Sequence, residues 1–164
     1  MTNTFYFADP HFGHAGIINF ESTRPFRPFA TIEEHDEEII RRWNARVNPR
    51  DRVFLLGDVS MGSRHIARCA ELNGDKRLVM GNHDRFPTLE YLKYFKKCYG
   101  AVVLYDNILT HIPVHPCQLT RWKLNIHGHM HTCKIDDPRY VCVSAEQVNL
   151  TPISHDELMK EYGE

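Results

Sequence analysis

Five times along this chain a short apolar run closes and a side chain able to hold a metal ion follows it. Asp9 comes after Thr4-Phe5-Tyr6-Phe7-Ala8, Asp58 after Val53-Phe54-Leu55-Leu56-Gly57, and Asn82 after Arg77-Leu78-Val79-Met80-Gly81. His111 comes after Ile108-Leu109-Thr110, and His129 after Leu124-Asn125-Ile126-His127-Gly128. Runs this short and this rich in β-branched and aromatic residues read as buried strands. In open α/β sheets the loops past the C-terminal ends of strands converge on one edge, and the strands hold them rigidly. The recurrence therefore constrains the chain to an α/β fold with one functional edge on which distant segments meet.

The runs place strands at about 4–8, 53–56, 78–80, 101–104, 108–109 and 124–126. Between several of them lie helical patterns. Ile32, Ile39, Ile40, Trp43 and Val47 share one face behind a Thr31-x-x-Glu34 capping box, which predicts a helix over about 32–47. A second is expected over about 63–73, with Ser63 as cap, Ile66, Ala67 and Ala70 inward, and Gly74 as a left-handed stop. A third should follow Pro87-Thr88, pack Leu89, Leu92 and Phe95, and end near Gly100. The last opens at the capping box Ser154-x-x-Glu157 and packs Leu158 and Met159. After residue 100 strand-like runs follow one another with little helix, so the second half should add an antiparallel or mixed sheet packed on the first. Arg24-Pro25-Phe26-Arg27-Pro28-Phe29 cannot form a regular helix and reads as an ordered loop. At 164 residues the chain, 1–164, fits one domain.

Lys and Arg number 20 against 21 Asp and Glu, a formal charge of −1, so no overall field gathers nucleic acid and a long polyanion is disfavoured as a partner. A small phosphate ester, including a nucleotide, fits the charge better. No apolar run approaches the roughly 18 residues of a membrane span, and no secretion signal precedes Asp9, so the expected compartment is the cytoplasm. Cys69, Cys98, Cys117, Cys133 and Cys142 are odd in number and include no CxxC, which fits reduced thiols. Cys133 lies near His131 but is not needed as a ligand, because oxygen and nitrogen donors already suffice.

Those donors suit a pair of divalent cations, and two cations roughly 3.5 to 4 Å apart imply chemistry on phosphate. Asp58 is the candidate bridge, since a carboxylate has two oxygens able to reach separate cations, and Gly57 before it lets the backbone turn sharply. Asp9 and His11, two apart in an extended segment, project to one side and can reach the same ion. Asn82 offers a carbonyl oxygen to the other, His111 a nitrogen, and His129 and His131 one imidazole to each. Nitrogen and oxygen donors without thiolate favour manganese, with iron, zinc, nickel or cobalt as alternatives.

The ordered set Asp9-x-His11, Gly57-Asp58, Gly81-Asn82-His83-Asp84, His111 and Gly128-His129-Met130-His131 resembles the calcineurin-like metallophosphoesterase superfamily, in a compact bacterial or phage-type form. The resemblance runs from residue 9 to 131. It implies a two-sheet αββα sandwich of four layers. It also implies a first metal held by Asp9, His11, Asp58 and His131, and a second held by Asp58, Asn82, His111 and His129. His83 would give a proton to the leaving oxygen, or stabilise charge there, while a hydroxide bridging the metals attacks phosphorus in line. The protein-phosphatase branch carries G-D-x-x-D-R, whereas here the run is Gly57-Asp58-Val59-Ser60-Met61-Gly62. In that branch the second Asp orients the catalytic His and the Arg clamps a phosphate dianion, so the resemblance implies a phosphodiesterase. The alternatives are a phosphomonoesterase or phosphoprotein phosphatase, and a non-catalytic scaffold on the same fold.

Around this core, His14 and Arg85 are the candidate substrate contacts, and His127 reads as a buried structural residue. Asp84 either holds His83 in its productive tautomer or satisfies loop amides. Arg24, Arg27, Arg121 and Arg139 read as solvated, and the acidic run Glu33 to Glu38 as complementing a helix dipole without a partner. Trp43 and Trp122 read as packing residues, and His35, His65, His115 and His155 as structural.

Overall fold

The computed structural model describes residues 2–162 as a mixed α/β fold of two sheets and four α-helices. The first sheet contains β1 (Thr4–Phe7), β2 (Arg52–Leu55), β3 (Asp75–Val79), β4 (Lys97–Tyr99) and β9 (Ile153–Ser154), in the order β4-β3-β2-β1-β9. All its pairs are parallel except β1 with β9. The second contains β5 (Val102–Leu104), β6 (Asn107–Thr110), β7 (Asn125–His127) and β8 (Tyr140–Cys142), in that order, with only β5 antiparallel. Of the antiparallel or mixed sheet expected from the run of strands after residue 100, the mixed form is the one present.

Side-chain alternation along the strands builds the layers. Phe5, Phe7, Val53 and Leu55 point to one face, where Ile39, Ile40 and Trp43 of α1 (Ile32–Arg46) cover them. Tyr6, Ala8, Phe54, Leu56 and Val79 point to the other, against Leu109, Leu124, Ile126, Val141 and Val143 of the second sheet. The two sheets therefore share one inner core. The outer face of the second sheet carries Ile108 and Tyr140, covered by Leu119 of a 3-10 turn over Pro116–Thr120 and flanked by the partly buried Val114, Trp122 and Ile135. The outermost layer is thus thinner than an αββα description implies. The last helix, α4 (His155–Tyr162), instead sends Leu158 into the inner core.

Local sequence explains the helix starts. Thr31 Oγ1 accepts from the Glu34 amide at 3.2 Å, and Glu34 reaches back to the Ala30 amide at 3.1 Å, closing the box one residue early. Ser154 and Glu157 cap each other reciprocally at 3.2 and 3.0 Å. Elsewhere the predictions need correction. The second helix is one turn, α2 (Ser63–Ile66), entered from Gly62 rather than capped by Ser63, and it tightens into a 3-10 segment over Ala67–Glu71. The third, α3 (Thr88–Tyr91), stops well before Gly100, because Lys97-Cys98-Tyr99 pairs with Arg77-Leu78-Val79 and backbone hydrogen bonding to a sheet outweighs local helical preference. It also buries Tyr91 in place of the expected leucines: Leu89 and Leu92 are 73% and 43% exposed, while Phe95, beyond the helix, is buried as expected. Strands β4, β8 and β9 went unforeseen. Residues 24–29 form a loop as expected.

No helix among the described residues is long and apolar enough to cross a membrane. All five cysteines are free.

Candidate metal centre

The loops after β1, β2, β3, β6 and β7 meet at one end of the sandwich, and backbone and side-chain hydrogen bonds tie them together. The Asp9 amide donates to the Gly57 carbonyl at 3.1 Å, and the Gly128 amide to the His111 carbonyl at 3.0 Å. Across the sheets, the His129 amide donates to Asp9 Oδ2 at 2.9 Å and His111 Nδ1 to the Leu56 carbonyl at 2.7 Å. The glycines before the ligands are set by close approach: a Cβ on Gly57, at φ +87°, would lie 2.5 Å from His111 Nδ1, and one on Gly128 would lie 2.8 Å from Asp9 Oδ2.

Two groups result. One ligand atom each from Asp9, His11 and His131 lie within 4.8 Å of one another, and so do atoms from Asp58, His111 and His129. Asn82 Oδ1 joins the second group, 2.9 Å from His111 Nε2 and 3.0 Å from His129 Nδ1. Asp58 lies between them, its Oδ2 3.6 Å from His11 Nε2 and 3.4 Å from His111 Nε2. Its Oδ1 accepts the His83 amide at 2.9 Å. Oδ2 is thus the oxygen near both groups, where the sequence suggested one oxygen for each cation. The seven residues singled out for metal all come together here.

The donors fit cations. Asp9 Oδ1 and both ring nitrogens of His11 are buried without a hydrogen-bond partner, which is costly for polar atoms unless something else fills the role. Separations of this size suit ligands that hold one ion at about 2.0 to 2.2 Å each. The backbone supplies a second sign: Asp9, His11, Asp58, His129 and His131 have φ of +56°, +51°, +55°, +69° and +50°. L-residues pay on the order of 1 to 2 kcal/mol for that conformation, and it persists only where surroundings impose it. Left-handed geometry at a strand end turns the side chain off the strand and onto the open edge.

Electrostatics reinforce the picture. Burial pushes the Asp9 carboxyl up to about 6, against the pull of His111 and His131. Burial also works to raise Asp58, but its contact with His111 and the His83 amide overcome it and hold the carboxyl at about 2. His111 shows the reverse, its burial outweighed by Asp58 and Asp9, so that its imidazole rises to about 9. Burial keeps His11 well below the ordinary histidine range and lowers His129 as well. Without cations, then, a proton on His111 supplies the positive charge that the carboxylates need.

Other residues take places the sequence left open or missed. The His83 ring stands half-exposed on the open side, 5.7 Å from the His11 ring. Asp84 does not hold it: its Oδ2 accepts the amides of Asp58 at 2.9 Å and Gly81 at 2.8 Å, and its Oδ1 that of Val59 at 2.9 Å. His14 lies beside the centre, its ring 5.5 Å from that of His11 and 5.7 Å from the exposed Phe20. Arg85 is exposed and its Nε donates to the Asn82 carbonyl at 3.3 Å. His127 is buried as expected, bonded to the Gly128 carbonyl, and Trp43 is fully packed.

Arg27 is fully buried rather than solvated, and His35 and Asp36 of the acidic run are buried beside it. The polar network they join was missed, together with Ser144, whose hydroxyl donates to Asp9 Oδ2 at 2.6 Å, and Glu146, which accepts from His131 Nδ1 at 3.1 Å. Burial works to raise Glu146, but His131 and Arg27 hold it at about 2. A signal for Ser144 and Glu146 existed. Tyr140-Val141-Cys142-Val143 is another apolar run with polar residues at its end, like the five that were read.

No protein-family model matches the chain. It is 30% identical over 171 residues to the uncharacterized protein MJ1445 of Methanocaldococcus jannaschii, covering 98% of this chain and 91% of that one. It is 29% identical over 168 residues to the Gene 66 protein of Mycobacterium phage L5, covering 80% of this chain and 79% of the phage protein. Among solved structures, the protein of unknown function AQ665 from Aquifex aeolicus superposes with a TM-score of 0.77 over 98% of this chain and all of its own, at 24% identity, and so has the same fold.

Proposed function

We propose that this chain, which belongs to the same family as the uncharacterized protein MJ1445 of Methanocaldococcus jannaschii, is a metal-dependent phosphoesterase of the calcineurin-like superfamily and acts on phosphodiesters. The observation that carries the reading is the pair of carboxylate–imidazole groups sharing Asp58 Oδ2, open on the side where His83 stands. Asp9, His11, Asp58 and His131 would hold one divalent cation, and Asp58, Asn82, His111 and His129 the other. Bound there, two cations would polarise a phosphoryl group and lower the pKa of water. Manganese suits the oxygen and nitrogen donors.

The chain's own residues would do the rest. His83, held by its amide on Asp58, would protonate the leaving oxygen, and His14 and Arg85 would contact the substrate from the rim. The diester preference is supported by the fate of the buried arginine. Arg27 is buried and spends four of its five N–H donors on backbone carbonyls, His35 and Glu146, so it presents no fork to clamp a phosphate dianion. The inner core common to both sheets supports reading residues 1–164 as one domain.

Comparing bis-p-nitrophenyl phosphate with p-nitrophenyl phosphate on manganese-loaded protein tests the reading. The diester should turn over faster, and preference for the monoester would reverse the assignment. His83→Ala should lower kcat by about 10²- to 10⁴-fold while metal content stays at two ions. Loss of metal in that variant would remove His83 from its role.

A further inference from the structure

Behind the Asp9, His11 and His131 group runs a buried polar chain that the chemistry of the open face does not use. Arg27 is 0% exposed. Its Nε donates to Glu146 Oε1 at 2.7 Å, its Nη2 to the Asp9 carbonyl at 2.7 Å, and its Nη1 to the Pro10 carbonyl at 3.2 Å and to His35 Nε2 at 2.8 Å. A guanidinium has donors only and keeps its charge, so every protonation outward from it is fixed. His35 Nε2 must accept, and its Nδ1 therefore donates to Asp36 Oδ1 at 2.9 Å, while Asp36 Oδ2 accepts the Gly13 amide at 2.9 Å. On the other side Glu146 Oε1 accepts from His131 Nδ1, which leaves the Nε2 lone pair of His131 facing the centre.

Enclosing a charged side chain costs several kcal/mol unless its donors are satisfied, so its position needs a reason. The two carbonyls that Arg27 grips belong to Asp9 and Pro10, within the segment where Asp9 and His11 are held left-handed at φ +56° and +51°. A planar fork can bind two successive carbonyls, a carboxylate and an imidazole together, which a lysine ammonium cannot. Among the described residues, neither Arg27 nor Glu146 hydrogen-bonds to Asp58, Asn82, His111 or His129.

We propose that Arg27 and Glu146 are positioning residues for one cation of the two: Arg27 locks the turn that presents Asp9 and His11, and Glu146 sets the tautomer and ring orientation of His131. The assignment rests on reading the centre as a two-cation site and goes beyond it by making the two ions separable. Carboxylates behind metal-bound imidazoles commonly change metal affinity about 10- to 100-fold.

Calorimetric titration with Mn²⁺, with electron paramagnetic resonance on the same samples, tests it on wild type, Arg27→Lys, Glu146→Leu and Glu146→Gln, each checked for fold by circular dichroism. Arg27→Lys and Glu146→Leu should weaken one ion by about 10- to 100-fold and give the spectrum of an isolated ion at intermediate loading. The other ion should bind as in wild type. Glu146→Gln, which keeps an acceptor oxygen toward His131, should recover most of the loss. If folded Arg27→Lys or Glu146→Leu protein loses both ions equally, or neither, the proposal is overturned. Should Glu146→Leu fail to fold, Arg27→Lys carries the same comparison. A wild type that binds two ions yet hydrolyses no phosphate ester would sink the phosphoesterase reading and leave this assignment standing.

Discussion

At Asp58 a proton on His111 and a bound divalent cation would compete for the same oxygen, 3.4 Å from the imidazole. His111 is raised to about 9, so what it contributes to the cation-free fold is complete below its ordinary value near 6.5 and is lost as pH rises through 9. Asp9, raised to about 6, adds in the same direction, because the fold favours its neutral form and that stability fades as pH rises from its ordinary value near 4 through 6. Asp58, depressed to about 2, keeps its contribution until pH falls below its ordinary range. In chelator, the melting temperature should therefore fall between about pH 7.5 and 9, and saturating Mn²⁺ should shrink that fall by replacing the proton. Below that window the burial-lowered His11, His14, His35, His127, His129 and His155 act in the opposite direction. Thermal unfolding with and without metal at both pH values checks this, and a chelated protein more stable at pH 9 than at about pH 7.5 contradicts it. The place of these residues at strand ends was legible in the sequence, since each follows an apolar run. Their left-handed backbone was not, because φ at a strand end is imposed by the neighbouring loop rather than by the residue.

Between elements, one carboxylate joins the loop after β2 to the loop after β3. Asp84 accepts three amides with its two oxygens, and the sequence could state this only as one of two alternatives, because both roles ask for a carboxylate beside His83. Asp84→Asn would turn an NH₂ group toward amide donors, which should destabilise the fold by about 1 to 3 kcal/mol and weaken metal uptake. His83→Ala, by contrast, should leave stability unchanged. Urea unfolding of the two variants separates them, and an Asp84→Asn protein as stable as wild type would rule out the stitching role. The helix after Pro87 teaches a related lesson. Its apolar spacing suited a long helix, but Lys97 to Tyr99 forms the edge of a parallel sheet, and a partner 20 residues upstream leaves no trace in a local pattern.

For the whole molecule, cations binding the folded form alone should stabilise it by about 2.7 to 4.1 kcal/mol per site at free Mn²⁺ 100 to 1,000 times the dissociation constant. Scanning calorimetry in chelator and in Mn²⁺ measures the shift, and an unmoved transition would deny the centre. Sequence alone determined the strand ends after β1, β2, β3, β6 and β7, the donor types placed there, the first and last helices with their capping boxes, and the presence of a second sheet after residue 100. All of these follow from periodicity and turn chemistry within a dozen residues. Only the tertiary structure decided that Asp58 offers one oxygen to both groups, that Asp84 serves backbone rather than His83, and that Arg27 and Glu146, 119 residues apart, share a buried ion pair. Those features depend on which loops the two sheets bring within hydrogen-bond reach. Local sequence carries no record of a distance that only packing creates.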